Sequence, residues 1–272
     1  MFLIYINNPC IAALAAENTI AVQSAVKQEK QVSSKSTPTD LVTEADHQVE
    51  ELIISTLREK YPSHTPVDYN LRFIGEESSA AGVKCELRDD PTWIIDPIDG
   101  TCNFVHSFPM VAVSIGFAVK KELELGVIYH CFDGTLYTAR KGHGAFCNGV
   151  RLQVSKEKDV SKALILTEIA HLLMEVRISP LTRSVRIIGS STLALCHIAS
   201  GAAEAYYQYG LHCWDIAAAA VIIREAGGYV IDTTGGPLDL MSRRVVAAGT
   251  RQIADYVVKQ LQPINYGRDD LT

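Results

Sequence analysis

Two carboxylates three residues apart, Asp96 and Asp99, lie in the stretch Trp93-Ile94-Ile95-Asp96-Pro97-Ile98-Asp99-Gly100-Thr101-Cys102-Asn103-Phe104. The apolar run at its start reads as the end of a buried strand with Asp96 at its tip. Pro97 fixes φ and removes a donor, so the strand is expected to stop there and the chain to turn. Gly100 permits a tight backbone and Thr101 brings a hydroxyl. Carboxylates on a rigid turn suit a hard cation, because Mg2+ takes oxygen ligands at nearly fixed geometry. Alone, the stretch is equally an Asp-rich turn that caps the next helix.

Acids elsewhere tip the balance. Glu76 and Glu77 leave the short strand Phe73-Ile74 through Gly75, much as Asp96 leaves its own strand. Strand ends are where sites assemble in layered α/β proteins. Asp215 opens an almost wholly apolar helix over 216–225, closed by Gly227-Gly228. A helix apolar all round is buried, and Asp215 is either its N-cap or a ligand fixed at its start. Asp46 follows Thr43 by three residues in capping-box fashion and reads as a first-turn acid. Gly189-Ser190-Ser191 precedes a helix over 192–200, where free N–H groups bind anions or a serine simply caps.

The elements that must position these groups alternate. Helices are expected over 12–31 and from about Thr43 to Tyr61-Pro62, with a polar loop over 33–40 between them. Residues 111–119 alternate large (Val111, Val113, Ile115, Phe117, Val119) with small (Ala112, Ser114, Gly116, Ala118), giving a strand whose small face admits a close helix. Strands over 125–129, 136–139, 144–146 and 151–154, with turns at Asp133-Gly134 and Asn148-Gly149, predict an antiparallel meander. Further strands are expected over 163–166, 186–188, 204–208, 229–232 and 244–248, with a short helix over 171–176 and a last one over 253–261.

The bulk numbers fit an enzyme-sized chain. Its 272 residues are 47 % hydrophobic and carry a net charge of −6, enough core for one large domain. Without a basic cluster, nucleic acid is not an expected partner. The seven cysteines show no C-x-x-C spacing and read as mostly buried free thiols in a reducing compartment. The apolar N-terminus lacks a basic n-region and no stretch reaches membrane-span length, so a cytoplasmic protein without a membrane partner is expected.

With these residues in place the chain resembles the inositol monophosphatase family. The likeness rests on Gly75-Glu76-Glu77-Ser78, residues 93–104, Cys213-Trp214-Asp215 with Glu225-Ala226-Gly227-Gly228, and the supporting run from Asp40 to Asp46. It covers the chain from about Gln31 to the end. The resemblance implies an α/β fold, a layered αβαβα sandwich in one domain over 1–272 with an atypical 1–30. It implies Mg2+ dependence with two to three ions per site, Li+ inhibition and a homodimer. Glu76, Asp96 and the carbonyl of Ile98 would hold one metal, and Asp96, Asp99 and Asp215 a second. Glu76 would help hold a third ion, and Asp46 and Thr101 would orient and deprotonate the attacking water. Gly100 and Thr101 would cradle the phosphate, beside Glu76, Ile98 and Asp99. Gly189, Ser190, Ser191, Gln208 and Asp215 would face an inositol ring.

The implied reaction is hydrolysis of myo-inositol monophosphate. A same-fold phosphatase acting on another sugar or nucleotide phosphate, and an interaction-only relative, are the rivals. Three departures from the family pattern stand out: the atypical N-terminus, an insertion over 65–71 and a shortened segment over 169–185. None removes a proposed ligand.

Overall fold

The computed structural model describes residues 32–34, 41–61, 71–168, 182–262 and 264–271. The helices expected over 12–31 and 171–176 lie outside these residues, as do the N-terminal departure, nearly all of the 65–71 insertion and most of the 169–185 segment.

A short antiparallel hairpin, β1 (Val32–Ser34) with β2 (Leu41–Thr43), precedes α1 (Glu44–Lys60). Ser33 and Ser34, expected in the polar loop, instead belong to β1, because they find strand partners in Val42 and Leu41; the rest of the expected loop lies outside the described residues. The seven-stranded sheet then runs in chain order: β3 (Arg72–Gly75), β4 (Thr92–Asp99), β5 (Ala112–Val119), β6 (Glu122–His130), β7 (Leu136–Arg140), β8 (Gly144–Cys147) and β9 (Val150–Arg151). Only β3 and β4 are parallel, and β5 to β9 form the expected meander. Two short helices punctuate it, α2 (Glu76–Ala80) and α3 (Thr101–Val105).

Pro97 does not end β4. The strand continues to Asp99, but its pairing with β5 slips between Asp96, opposite Ser114, and Asp99, opposite Ala112. One extra residue is accommodated, and a proline without an N–H is tolerated at such a bulge.

The second sheet has five strands, ordered β11 (Ser184–Arg186), β10 (Leu164–Leu166), β12 (Ala205–Tyr209), β14 (Arg244–Ala248) and β13 (Tyr229–Ile231). β11 forms two residues before the stretch expected from Ile187-Ile188, since Leu164–Leu166 pairs with Ser184–Arg186. Helices α4 (Ser191–Ala199), α5 (Cys213–Glu225) and α6 (Arg251–Gln260) are the remaining described α-helices.

Three apolar clusters define the layers. Val49, Ile53 and Leu57 of α1 pack on Trp93, Ile95, Val113, Ile115 and Phe117, the large-residue face of the first sheet. The opposite, small-residue face meets α4 and α5, which also cover Tyr206, Val230, Val245 and Ala247 of the second sheet. Ile253, Ala254 and Val257 of α6 close the outside over Tyr207 and Val246. The order is αβαβα.

Close approach fixes α5. Gly116 and Gly126 sit directly opposite each other in β5 and β6. A Cβ at 126 would lie 2.2 Å from the Ala218 carbonyl oxygen, and one at 116 would lie 2.9 Å from the Ala217 Cβ. Two adjacent glycines thus let the backbone of α5 press onto the sheet. No described helix is long and apolar enough to cross a membrane.

Candidate active site

The parallel pairing of β3 and β4 brings two strand ends together, since Gly75 lies beside Ile95. Helix N-termini converge on the same place. Asp46 is in the first turn of α1, Glu76 opens α2, Thr101 opens α3, and Asp215 is in the first turn of α5. The partial positive charge at each N-terminus favours acids there, which helps five carboxylates share one region.

One oxygen each from Asp96, Asp99 and Asp215 lie within 4.8 Å of one another. Burial, then the charges of Glu76, Asp99, Asp215 and Asp46, push the Asp96 carboxyl far above its usual range. Burial and Asp99 raise Asp215 to about 7. Burial and mutual repulsion thus outweigh His212, whose charge lowers Asp215.

Each acid is oriented. Asp96 Oδ1 accepts the Ile98 N–H at 3.1 Å. Asp215 Oδ2 accepts the His212 N–H at 2.7 Å. Asp215 is thus three residues past the N-cap, which is His212, rather than the N-cap itself. Asp99 is the most heavily bonded: it accepts from the Ser190 and Thr192 hydroxyls, from the Ser191 hydroxyl at 2.9 Å and from the Thr192 N–H at 3.1 Å. The Ser191 hydroxyl also lies 3.0 Å from Asp215 Oδ1, linking the two acids.

Ser190 is 1 % exposed, caps α4 through the Leu193 N–H at 3.3 Å and directs its own proton to Asp99. It is therefore held directly against Asp99. Gly189 packs against Asn103, whose amide donates to the carbonyls of Met110, Ile188 and Gly189. Gln208 lies on β12, where its side-chain oxygen accepts the Tyr206 hydroxyl.

The Thr101 hydroxyl is 3.5 Å from Asp46 Oδ1 and 3.2 Å from the Ile98 carbonyl oxygen. Asp46 is fully buried. Gly100 has φ 87°, and a Cβ there would come within 2.7 Å of the Met110 carbonyl oxygen. Only glycine suits that conformation and that space. No side chain caps α3, so its first N–H groups remain available to an anion.

Glu77 belongs elsewhere. Its carboxylate is buried 3.6 Å from His47 Nδ1. Three contributors escape the sequence reading. Thr192 binds Asp99, Glu50 caps α2 with its buried carboxylate, and Glu168 accepts the Gly189 N–H at 3.2 Å, its carboxyl raised to about 7 by burial. Glu168 carried a readable signal, because it lies just beyond an apolar strand as Asp96 does.

The donor set suits a hard cation. All groups offered are oxygens, Asp96 and Asp99 are buried, and the crowding that raises Asp96 and Asp215 is relieved by divalent charge.

Residues 9–266 match the model of the inositol monophosphatase family. The chain is 63 % identical over 260 residues to human inositol monophosphatase 2, covering 92 % of this chain and 88 % of that one. It is 51 % identical over 268 residues to human inositol monophosphatase 1, with 94 % of each covered. A solved Thermotoga maritima IMPase superposes with a TM-score of 0.81 at 29 % identity, covering 92 % of this chain and 94 % of its own.

Proposed function

The chain belongs to the inositol monophosphatase family, and on that footing we propose that it is a metal-dependent phosphomonoesterase releasing phosphate from myo-inositol monophosphates. The observation that carries this reading is the convergence of Asp96, Asp99 and Asp215 oxygens within 4.8 Å at the N-termini of several helices.

Asp96, Asp99 and Asp215, with Glu76 and the Ile98 carbonyl, would hold two to three Mg2+ ions. Bound Mg2+ offsets the carboxylate charge, polarises the ester phosphate and makes water more acidic. The N–H groups of Gly100 and Thr101 receive phosphate oxygens and fix the ester for in-line attack. The Thr101 hydroxyl, donating to Asp46, keeps a lone pair for the attacking water, so its proton passes to the Thr101–Asp46 pair. Ser190, Ser191 and Thr192 hold Asp99 in place. Gly189, Ser190, Ser191, Gln208 and Asp215 border the space for the alcohol, with the Ser191 hydroxyl between Asp99 and Asp215. The same reading carries Li+ inhibition, a homodimer and a cytoplasmic location.

The test is phosphate release from inositol 1-phosphate, a nucleotide 2′-phosphate and a hexose phosphate, each with and without Mg2+. Mg2+-dependent turnover with preference for the inositol ester is expected. Turnover of the other esters alone would move the assignment to a neighbouring substrate. No turnover with metal still bound would favour an interaction protein.

A further inference from the structure

Away from the carboxylate cluster, Cys85 and Cys213 bring their sulfurs to 3.7 Å although 128 residues separate them. Cys85 lies between α2 and β4 and is 5 % exposed, while Cys213 opens α5 and is fully buried. Asp269, in the 3-10 turn Asp269–Leu271, joins them. One oxygen of Asp269 and the two sulfurs all lie within 4.8 Å of one another.

The Asp269 carboxylate is held in place. Its Oδ2 accepts the Cys213 N–H at 2.8 Å, and its Oδ1 lies 2.7 Å from His212 Nδ1 and 3.8 Å from Arg243 Nε. The oxygen nearer Cys213 is therefore the one facing away from those two side chains.

The sulfur spacing excludes a disulfide and is compatible with two ligands of one metal. A disulfide requires about 2.05 Å between sulfurs. Two thiolates on one tetrahedral zinc, each about 2.3 Å from the metal, stand about 3.8 Å apart. The observed 3.7 Å is a thiol–thiol hydrogen-bonding contact, too long for a disulfide, and it lies close to the separation that two thiolates would take on one zinc. We propose that Cys85, Cys213 and Asp269 form a binding site for a thiophilic divalent cation, Zn2+ by preference, separate from the all-oxygen cluster.

Thiolates select Zn2+ or Cd2+, whereas oxygen-only ligands suit Mg2+, so the two sites sort cations by softness. On binding, each thiol releases one proton to solvent and bonds the metal as thiolate. Asp269 supplies the third ligand, water the fourth, and His212 orients the carboxylate from outside. A bound ion would tie the segment before β4, the first turn of α5 and the C-terminal turn together, two residues ahead of Asp215.

Cd2+ titration of the full chain in excess Mg2+ tests this directly. The wild-type protein should bind one Cd2+ at these thiols, with an ultraviolet thiolate-to-metal charge-transfer band and a rise in Tm, and Zn2+ should displace it. Cys85→Ser should lose both signals while keeping Mg2+-dependent turnover, which also shows that it folds. Cys102→Ser, which removes an exposed thiol, should keep both. Asp269→Asn should weaken Cd2+ binding at least tenfold and serves as the deciding variant if Cys85→Ser does not fold. Absence of the band, its persistence at full affinity in Cys85→Ser or Asp269→Asn, or its loss in Cys102→Ser would overturn the proposal.

Discussion

Glu50 caps the helix that begins at Glu76. Its buried carboxylate accepts the Glu77 N–H at 2.8 Å and the Ser78 N–H at 2.9 Å, together with the Ser78 hydroxyl. A Cβ at Gly75 would fall within 2.4–2.6 Å of the three carboxyl atoms of Glu50, so α1 meets β3 there with no space to spare. Glu50 therefore positions the proposed ligand Glu76 without being a ligand. Glu50→Ala should cost about tenfold to 100-fold in metal affinity. Turnover should recover at high Mg2+, and a Mg2+ titration of initial rates checks this. An unchanged Mg2+ requirement would remove Glu50 from the account.

Asp215 separates capping from ligation. Asp215→Asn keeps an acceptor for the His212 N–H and halves the ligating power of the side chain. Metal-borne charge stabilisation is worth several kcal/mol, so turnover should fall by about 100-fold or more at an almost unchanged Tm. Wild-type kcat in this variant would mean that Asp215 serves only the helix.

The cluster gives the metal-free protein a definite pH dependence. Asp96 is raised far above its usual range and Asp215 to about 7. Between the ordinary carboxylate range, about pH 4, and about pH 7, the folded state binds more protons than the unfolded one, so stability falls as pH rises. Bound cations cancel that penalty. Thermal melts in EDTA and in Mg2+ should therefore diverge as pH increases. A gap that stays constant or narrows would contradict a carboxylate metal site.

The glycine pair under α5 makes a packing prediction. Gly126→Val would drive atoms into the Ala218 backbone. Overpacking of this kind costs about 1–3 kcal/mol, and lifting α5 would carry Asp215 with it. Chemical denaturation should show the stability loss, and the Mg2+ requirement should rise in the same variant. A destabilised variant with unchanged Mg2+ dependence would detach helix seating from the site.

Much of this architecture was legible because it is local. The alternation of residues 111–119 disclosed both faces of β5, and the core clusters follow that division. The hydrophobic run before Asp96 located β4. Pro97 misled, because a proline stops a regular ladder but is accommodated at a bulge, and only the pairing with β5 reveals the bulge. Glu50 and Thr192 were illegible for a different reason. Each completes a hydrogen-bond set on a group 27 or 93 residues away, and no spacing rule carries such a relation. Ser190 was readable as a cap but not as a partner of Asp99, which depends on how α4 lies against β4.

The most direct test of the central claim is a crystal of this chain soaked in Mn2+ and measured for anomalous scattering. The account predicts peaks in the space bounded by Glu76, Asp96, Asp99 and Asp215, one of them contacting Asp96, Asp99 and Asp215 together, with occupancy lost in Asp96→Asn. A map with no peak among these carboxylates at Mn2+ concentrations that support turnover would contradict it.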